Sequence, residues 1–113
     1  MKFVIGIIKP ERLNEVLQNL DDQGISLVSV TNVAGRGRQK GLSHQYRGLQ
    51  AASTLINKAK LEIAVNDEFV DSTIQAIRGG ARTGEIGDGK VFVLDLEQCV
   101  RIRTGEEGAL AVG

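Results

Sequence analysis

Hydrophobic side chains recur along this chain with two different periods. Phe3, Ile5 and Ile7 alternate within residues 2–9, predicting a strand with those three on one face. Leu13, Val16, Leu17 and Leu20 then follow the i, i+3, i+4, i+7 spacing of one helical stripe. Pro10 suits the first helical turn and Gly24 a left-handed cap just past the end. Residues 25–33 are rich in β-branched side chains and predict a second strand. Leu61, Ile63 and Val65 alternate with Lys60, Glu62 and Ala64, a third strand with one buried face. Val70, Thr73, Ile74 and Ile77 stripe a second helix, capped by Asn66 or Asp67. Asp67, Glu68 and Asp71 lie near its positive end, and Gly79-Gly80 closes it. Residues 91–96 predict a fourth strand and Val100–Arg103 a short fifth. Between Ala34 and about Asn57 the pattern is irregular, with room in 49–56 for a helical turn or strand ends. A connection of that length in a small domain usually serves function.

Strand, helix, strand, strand, helix, strand is the α+β, ferredoxin-like βαββαβ order. Two helices cover only one face of such a sheet. Leu27, Leu61, Ile63, Val91 and Val93 supply more apolar side chains than that one layer absorbs. An oligomer is therefore expected. The length of 113 residues fits one domain spanning 1–113, and 42% apolar with 25% charged residues is an ordinary globular balance. No apolar run approaches the ~20 residues of a membrane span. The apolar start is short and is followed at once by Lys9, Glu11 and Arg12, which argues against a secretory signal and for a cytoplasmic protein. One cysteine, Cys99, and one histidine, His44, exclude an internal disulfide and leave little for a zinc or Cys/His catalytic site. Residues 104–113, small and polar, predict a mobile tail.

Charge changes the picture. Lysines and arginines total 14 and acids 14, yet no acid occurs between Gln23 and Leu61. That stretch carries Arg36, Arg38, Lys40, Arg47, Lys58 and Lys60, a positive field for an anion unless it is simply a solvated basic loop. Glycines cluster at 35–48, inside that stretch, and again at 79–89, where they permit sharp turns and close backbone approach.

Residues 83–90, Thr-Gly-Glu-Ile-Gly-Asp-Gly-Lys, combine the bends and the cation of a phosphate cradle. They are not an ATPase P-loop. Val91 replaces the expected Ser or Thr, and a strand rather than a helix follows. A plain hairpin turn is the competing reading. In residues 35–41, Gly-Arg-Gly-Arg-Gln-Lys-Gly, the guanidinium forks suit phosphate or carboxylate. Nucleic-acid binding fits less well, because only Tyr46 among the aromatics lies near enough to stack. Arg101 and Arg103, on an extended segment without paired acids, would share one face and fit a triphosphate, solvated arginines being the alternative.

Residues 83–96 resemble the C-terminal signature of the P-II nitrogen-regulatory signal-transduction proteins. Residues 35–41 with Tyr46-Arg47-Gly48 resemble that family's flexible T-loop, and residues 101–106 its closing segment. The likeness runs over about residues 2–107. It implies a homotrimer of ferredoxin-like subunits, with a flexible T-loop at 37–55, in which ATP and ADP compete for clefts between subunits. The nucleotide set it implies is Ile7, Ser29, Gly35, Gly37, Arg38, Glu62, Ile63, Ala64, Gly87, Asp88, Gly89 and Lys90, with Arg101, Ile102 and Arg103 from the neighbour. Beside Mg-ATP, 2-oxoglutarate would meet Lys9, Gln39, Lys40, Gly41, Lys58 and Gly87, with Gln39 ligating Mg²⁺ through its amide oxygen.

Tyr46 and Arg47 would touch a partner, an ammonium transporter or a nitrogen-metabolism enzyme, so membrane association would be peripheral at most. The resemblance implies neither an enzyme nor a nucleic-acid partner. Departures matter too. Ala51 stands where uridylylated members carry Tyr, and Leu49 where others carry a phosphorylated Ser, so signalling by ligand alone is implied. The alternatives are a P-II-like regulator of nitrogenase or another nutrient transporter, a slow ATPase using Asp88 or Glu62 as base, or a copper-tolerance-type structural trimer.

Overall fold

The computed structural model describes residues 1–36 and 55–113. The order is β1 (Lys2–Ile8), a 3₁₀ turn (Pro10–Arg12), α1 (Leu13–Asp22), β2 (Ser29–Arg36), β3 (Leu55–Val65), a 3₁₀ turn (Asp67–Phe69), α2 (Val70–Ala81), β4 (Gly89–Asp95) and α3 (Ala109–Val112). The four strands form one antiparallel sheet in the order β2-β3-β1-β4. This is the ferredoxin-like α+β fold that the sequence predicts.

The core lies between the sheet and the helices. Val4 and Ile8 of β1 and Ala59, Leu61, Ile63 and Val65 of β3 meet Val16 and Leu20 of α1 and Ala76 and Ile77 of α2. Thr73 is wholly buried in the α2 stripe, and its hydroxyl donates to the Phe69 carbonyl at 2.6 Å. α2 runs two residues past Gly79, contrary to the sequence expectation that Gly79-Gly80 ends it. The reason is packing: a Cβ at Gly80 would lie 2.8 Å from the backbone nitrogen of Val16, so glycine lets the two helices touch. Asn66 does not cap this helix; its side chain turns instead to the Ala109 carbonyl.

β2 begins four residues later than predicted. Gly24 (φ 77°) closes α1, and the Ile25 N–H donates to the Leu20 carbonyl at 2.9 Å, so the buried Ile25 caps the helix instead of opening a strand. β2 runs three residues past its predicted end and β3 starts well before its pattern, because they pair with each other to Arg36↔Leu55, although the hydrophobic alternation fades there. β1 stops at Ile8↔Ala59, so Leu55–Lys58 and Val33–Arg36 continue as a two-stranded ribbon. Leu55, placed by the sequence reading in the flexible stretch, is strand.

The fifth strand expected at Val100–Arg103 does not form. Arg101–Thr104 make a turn, and only the isolated bridge Val100↔Glu107 remains of it. The expected mobile tail contains the helical turn α3, in which the Ala111 N–H donates to the Gly108 carbonyl at 2.9 Å.

Among the described residues no helix covers the second face of the sheet. Of the surplus apolar residues the sequence suggested, Leu27 and Val93 stay exposed, whereas Leu61 and Ile63 are in the core and Val91 packs against it; the apolar residues on the second face are others. They are Phe3, Ile5 and Ile7, with Phe92 and Leu94 opposite Ile5 and Phe3 and each 48% exposed.

Candidate functional site

The predicted residues fall at two places. The first is the end of the sheet where β1 finishes and β4 starts. Gly89 (φ 102°) begins β4 so close to β1 that an added Cβ would fall 1.7 Å from the Ile7 carbonyl oxygen. Gly84 (φ 91°) and Gly87 (φ 105°) bend the preceding loop. Asp88 ties that loop to its own start, accepting from the N–H groups of Thr83 at 2.8 Å and Gly84 at 2.9 Å and from the Thr83 hydroxyl. The Thr83 hydroxyl bond, then those backbone bonds and the Lys9 ammonium, hold the Asp88 carboxyl well below the usual carboxylate range against the opposing effect of burial.

Two ammonium groups converge on this loop. Lys9, directly after β1, lies 3.4 Å from Asp88 and donates to Thr83 at 3.2 Å. Lys58, on the β2-β3 ribbon, donates to the Gly87 carbonyl at 2.5 Å. A Cβ on Gly87 would lie 3.4 Å from Lys9 Cε and 3.7 Å from Lys58 Nζ, so both side chains pass over the same glycine. Lys90, Ile7 and Lys60 stand side by side in the sheet just below. Lys60 is 4.0 Å from Glu62, while Lys58 and Lys90 have no carboxylate partner among the described residues. Such a spot suits a small dianion or a phosphate group, with backbone approach granted by the glycines.

The second place is the opposite edge and end. Ser29 of β2 lies across from Glu62 of β3, and Ala64 is two residues further along. Ile63 points into the core and is 1% exposed, so only its backbone can face a ligand. Gly35 is not at this end: it sits in the ribbon opposite Ile56, past the β1 end where Gly89 lies. The turn holding Arg101, Ile102 and Arg103 follows the far end of β4. The expectation that these arginines lack paired acids and share an extended face does not hold. Gly105 (φ 75°) reverses the chain, and Arg101 Nη1 lies 3.0 Å from Glu106 Oε1. Ile102 is 99% exposed, and Arg103 stays free of carboxylates among the described residues. The five-residue step from Arg101 to Glu106 across a glycine is the signal for that pair in the sequence.

These two places are far apart within one chain. β2 and β4 are the two edges of the sheet, three strand spacings or roughly 14 Å apart. Gly89 and the Arg101 turn flank the seven-residue β4, roughly 20 Å long. Gly37, Arg38, Gln39, Lys40, Gly41, Tyr46 and Arg47 lie outside the described residues. Thr83, which the site reasoning passed over, is the donor that locks Asp88; its place at the head of a glycine loop marks it in the sequence. With its acceptor sites filled and its acidity raised, Asp88 is ill-suited to act as a general base.

The sequence profile described as Nitrogen regulatory protein P-II matches residues 1–106. The chain belongs to the P-II family. It is 48% identical over 112 residues to Nitrogen regulatory protein P-II 2 of Methanothermobacter thermautotrophicus, covering 99% of this chain and 97% of that one. It is 51% identical over 112 residues to Nitrogen regulatory protein P-II of Rhodobacter capsulatus, covering 99% and 100%. In three dimensions it matches the crystal structure of Arabidopsis thaliana PII bound to citrate, with a TM-score of 0.80, 38% identity, and coverage of 97% of this chain and 87% of that one. As a P-II family member the chain is a nitrogen-regulatory signal transducer, and its relatives are named as regulatory proteins rather than enzymes. Among the described residues no helix is long and apolar enough to cross a membrane.

Proposed function

We propose that this P-II protein reads the cell's nitrogen and energy state by binding ATP or ADP in clefts shared between subunits of a homotrimer. The observation that carries this reading is the split site. One end of the sheet holds the glycine loop with Lys9, Lys58 and Lys90, and the β2 side holds Ser29, Glu62 and Ala64, with Arg103 on the turn past the far end. A second copy brings the two halves together and covers Phe3, Ile5, Phe92 and Leu94. In that arrangement the phosphates meet Gly87, Asp88 through its backbone, Gly89 and Lys90 of one subunit and Arg101 and Arg103 of the next. The base and ribose meet Ser29, Glu62, Ile63 backbone and Ala64, near Ile7 and Gly35.

Lys9, Lys58 and Gly87 form the part of a carboxylate site that lies within the described residues, completed by Gln39, Lys40 and Gly41 for 2-oxoglutarate. That the Arabidopsis relative was solved bound to citrate, another polycarboxylate, supports this choice of ligand. The described residues hold no group of three or more His, Cys, Asp or Glu suited to a metal. Mg²⁺ would therefore take its oxygens from the phosphates, from 2-oxoglutarate and from Gln39. The segment 37–54 carries the signal through Tyr46 and Arg47 to an ammonium transporter or a nitrogen-metabolism enzyme, without nucleotidylation at Ala51. Calorimetry with ATP, ADP and 2-oxoglutarate, each with and without Mg²⁺, tests this alongside light scattering of the free protein. Binding of 2-oxoglutarate only with Mg-ATP, and a threefold particle, are expected. A monomer, or no heat with either nucleotide, would end the proposal.

A further inference from the structure

The last five residues lie on both kinds of group that the nucleotide reading gives to the far end of the sheet. We infer that residues 109–113 act as an internal strap that competes with adenine nucleotide for this half of the cleft. The inference rests on the nucleotide reading above.

Arg101 is the first contested group. Gly105 and Gly108, at φ 75° and 71°, fold the chain back on itself, and the Arg101 N–H donates to the Glu106 carbonyl at 2.8 Å. The guanidinium then faces its own chain. Nη1 binds Glu106, while Nη2 donates to the carbonyls of Leu110 at 3.3 Å and Ala111 at 3.4 Å. These are the donors a polyphosphate would use, and Arg has no others beyond Nε and the second hydrogens. A phosphate brings full negative charge where α3 offers only carbonyl dipoles, so the ligand is the stronger acceptor.

The second contested surface is a cavity of about 170 Å³ at the same end. Leu27, Ala64, Val65 and Phe69 line it together with Val112 and Gly113. The strap thus borders the same cavity as Ala64 while holding Arg101. Asn66 is the latch between them: its Nδ2 donates to the Ala109 carbonyl at 3.1 Å. Asn66 Oδ1 is buried and finds no donor among the described residues. An unsatisfied acceptor weakens the docked state. Little else secures the strap, since α3 has four residues and Leu110 is 73% exposed.

A strap docked nine-tenths of the time lowers apparent affinity about tenfold, because only the open fraction binds. The test is titration calorimetry with ADP on the full chain, on a chain ending at Gly108, and on Asn66→Ala, which keeps every other residue. Both variants are expected to bind about three- to tenfold more tightly than the full chain. Saturating ADP is expected to speed amide exchange at Ala111 and Val112, whose N–H groups donate to the Gly108 carbonyl at 2.9 and 3.3 Å. Unchanged or weaker ADP binding by both variants, or slower exchange at those amides with ADP, overturns the strap. A full chain that binds neither ADP nor ATP overturns the nucleotide reading itself, and the strap with it.

Discussion

The two ends of the sheet are built by opposite means. Around Gly89 the chain satisfies itself: Asp88 is held by Thr83 and Gly84, Lys9 by Asp88, and Lys58 by Gly87. Around Arg101 the contacts are local, exposed and easily exchanged, and Arg103 has no carboxylate to hold among the described residues. The first end is shaped before any ligand arrives. The second offers loosely held groups whose proper partners come from outside. A ligand bridging the two ends of neighbouring copies would meet a fixed cradle on one side and an adjustable clamp on the other.

The sharpest way to break this contrast is Gly89→Ala. The new Cβ would collide with the Ile7 carbonyl at a φ of 102°, and strain of this kind together with the displaced backbone costs about 3 kcal/mol or more. Urea unfolding should show that loss even without ligand. Arg103→Ala at the other end should leave the urea midpoint where it was and weaken ATP binding by roughly ten- to a hundredfold, the worth of a charge-assisted contact. Calorimetry beside the melt separates the two effects.

Acid sharpens the contrast further. The folded Asp88 carboxyl titrates lower than the unfolded one, whose reference value is 3.8. Its contribution to stability is therefore complete above that value and fades as pH falls through the folded one. Asp88→Asn should flatten the acid limb of a stability–pH curve below about pH 4, leaving its slope near neutrality unchanged. The smallest effect is expected from Glu106→Gln. It removes an ion pair whose side chains are 39% and 41% exposed, so the change should stay within about 0.5 kcal/mol in a thermal melt.

Period and composition reveal most of the fold because the core-forming stripes are clean. Leu61, Ile63 and Val65, and the α1 and α2 stripes, land where their spacing puts them. Errors cluster where pairing or packing overrides local pattern. Leu55–Ala59 become strand through their partner β2, and Gly79-Gly80 stay helical because Val16 needs the room. Ile25 looks like a strand residue but closes a helix. At the site, glycine spacing and lysines were readable, and Lys9, Lys58 and Gly87 do converge. The pairing of Arg101 with Glu106 is hidden in the sequence because the alternation implies an extended segment, and one glycine at positive φ undoes it. Phe92 and Leu94 carry the uncovered face because β1 turns its even-numbered residues, not its odd ones, toward the helices.

The ribbon made by Val33–Arg36 and Leu55–Lys58 reaches past β1 by about four residues, or some 13 Å, with no third strand alongside among the described residues. A lone hairpin of this kind has little stability of its own. Lengthening, shortening or shifting it by a pair of residues would therefore spare the melting behaviour of the domain, whose packed interior begins only at Ala59. The fold thus leaves the reach and aim of residues 37–54 open to change by insertion or deletion, largely independent of what keeps the protein folded.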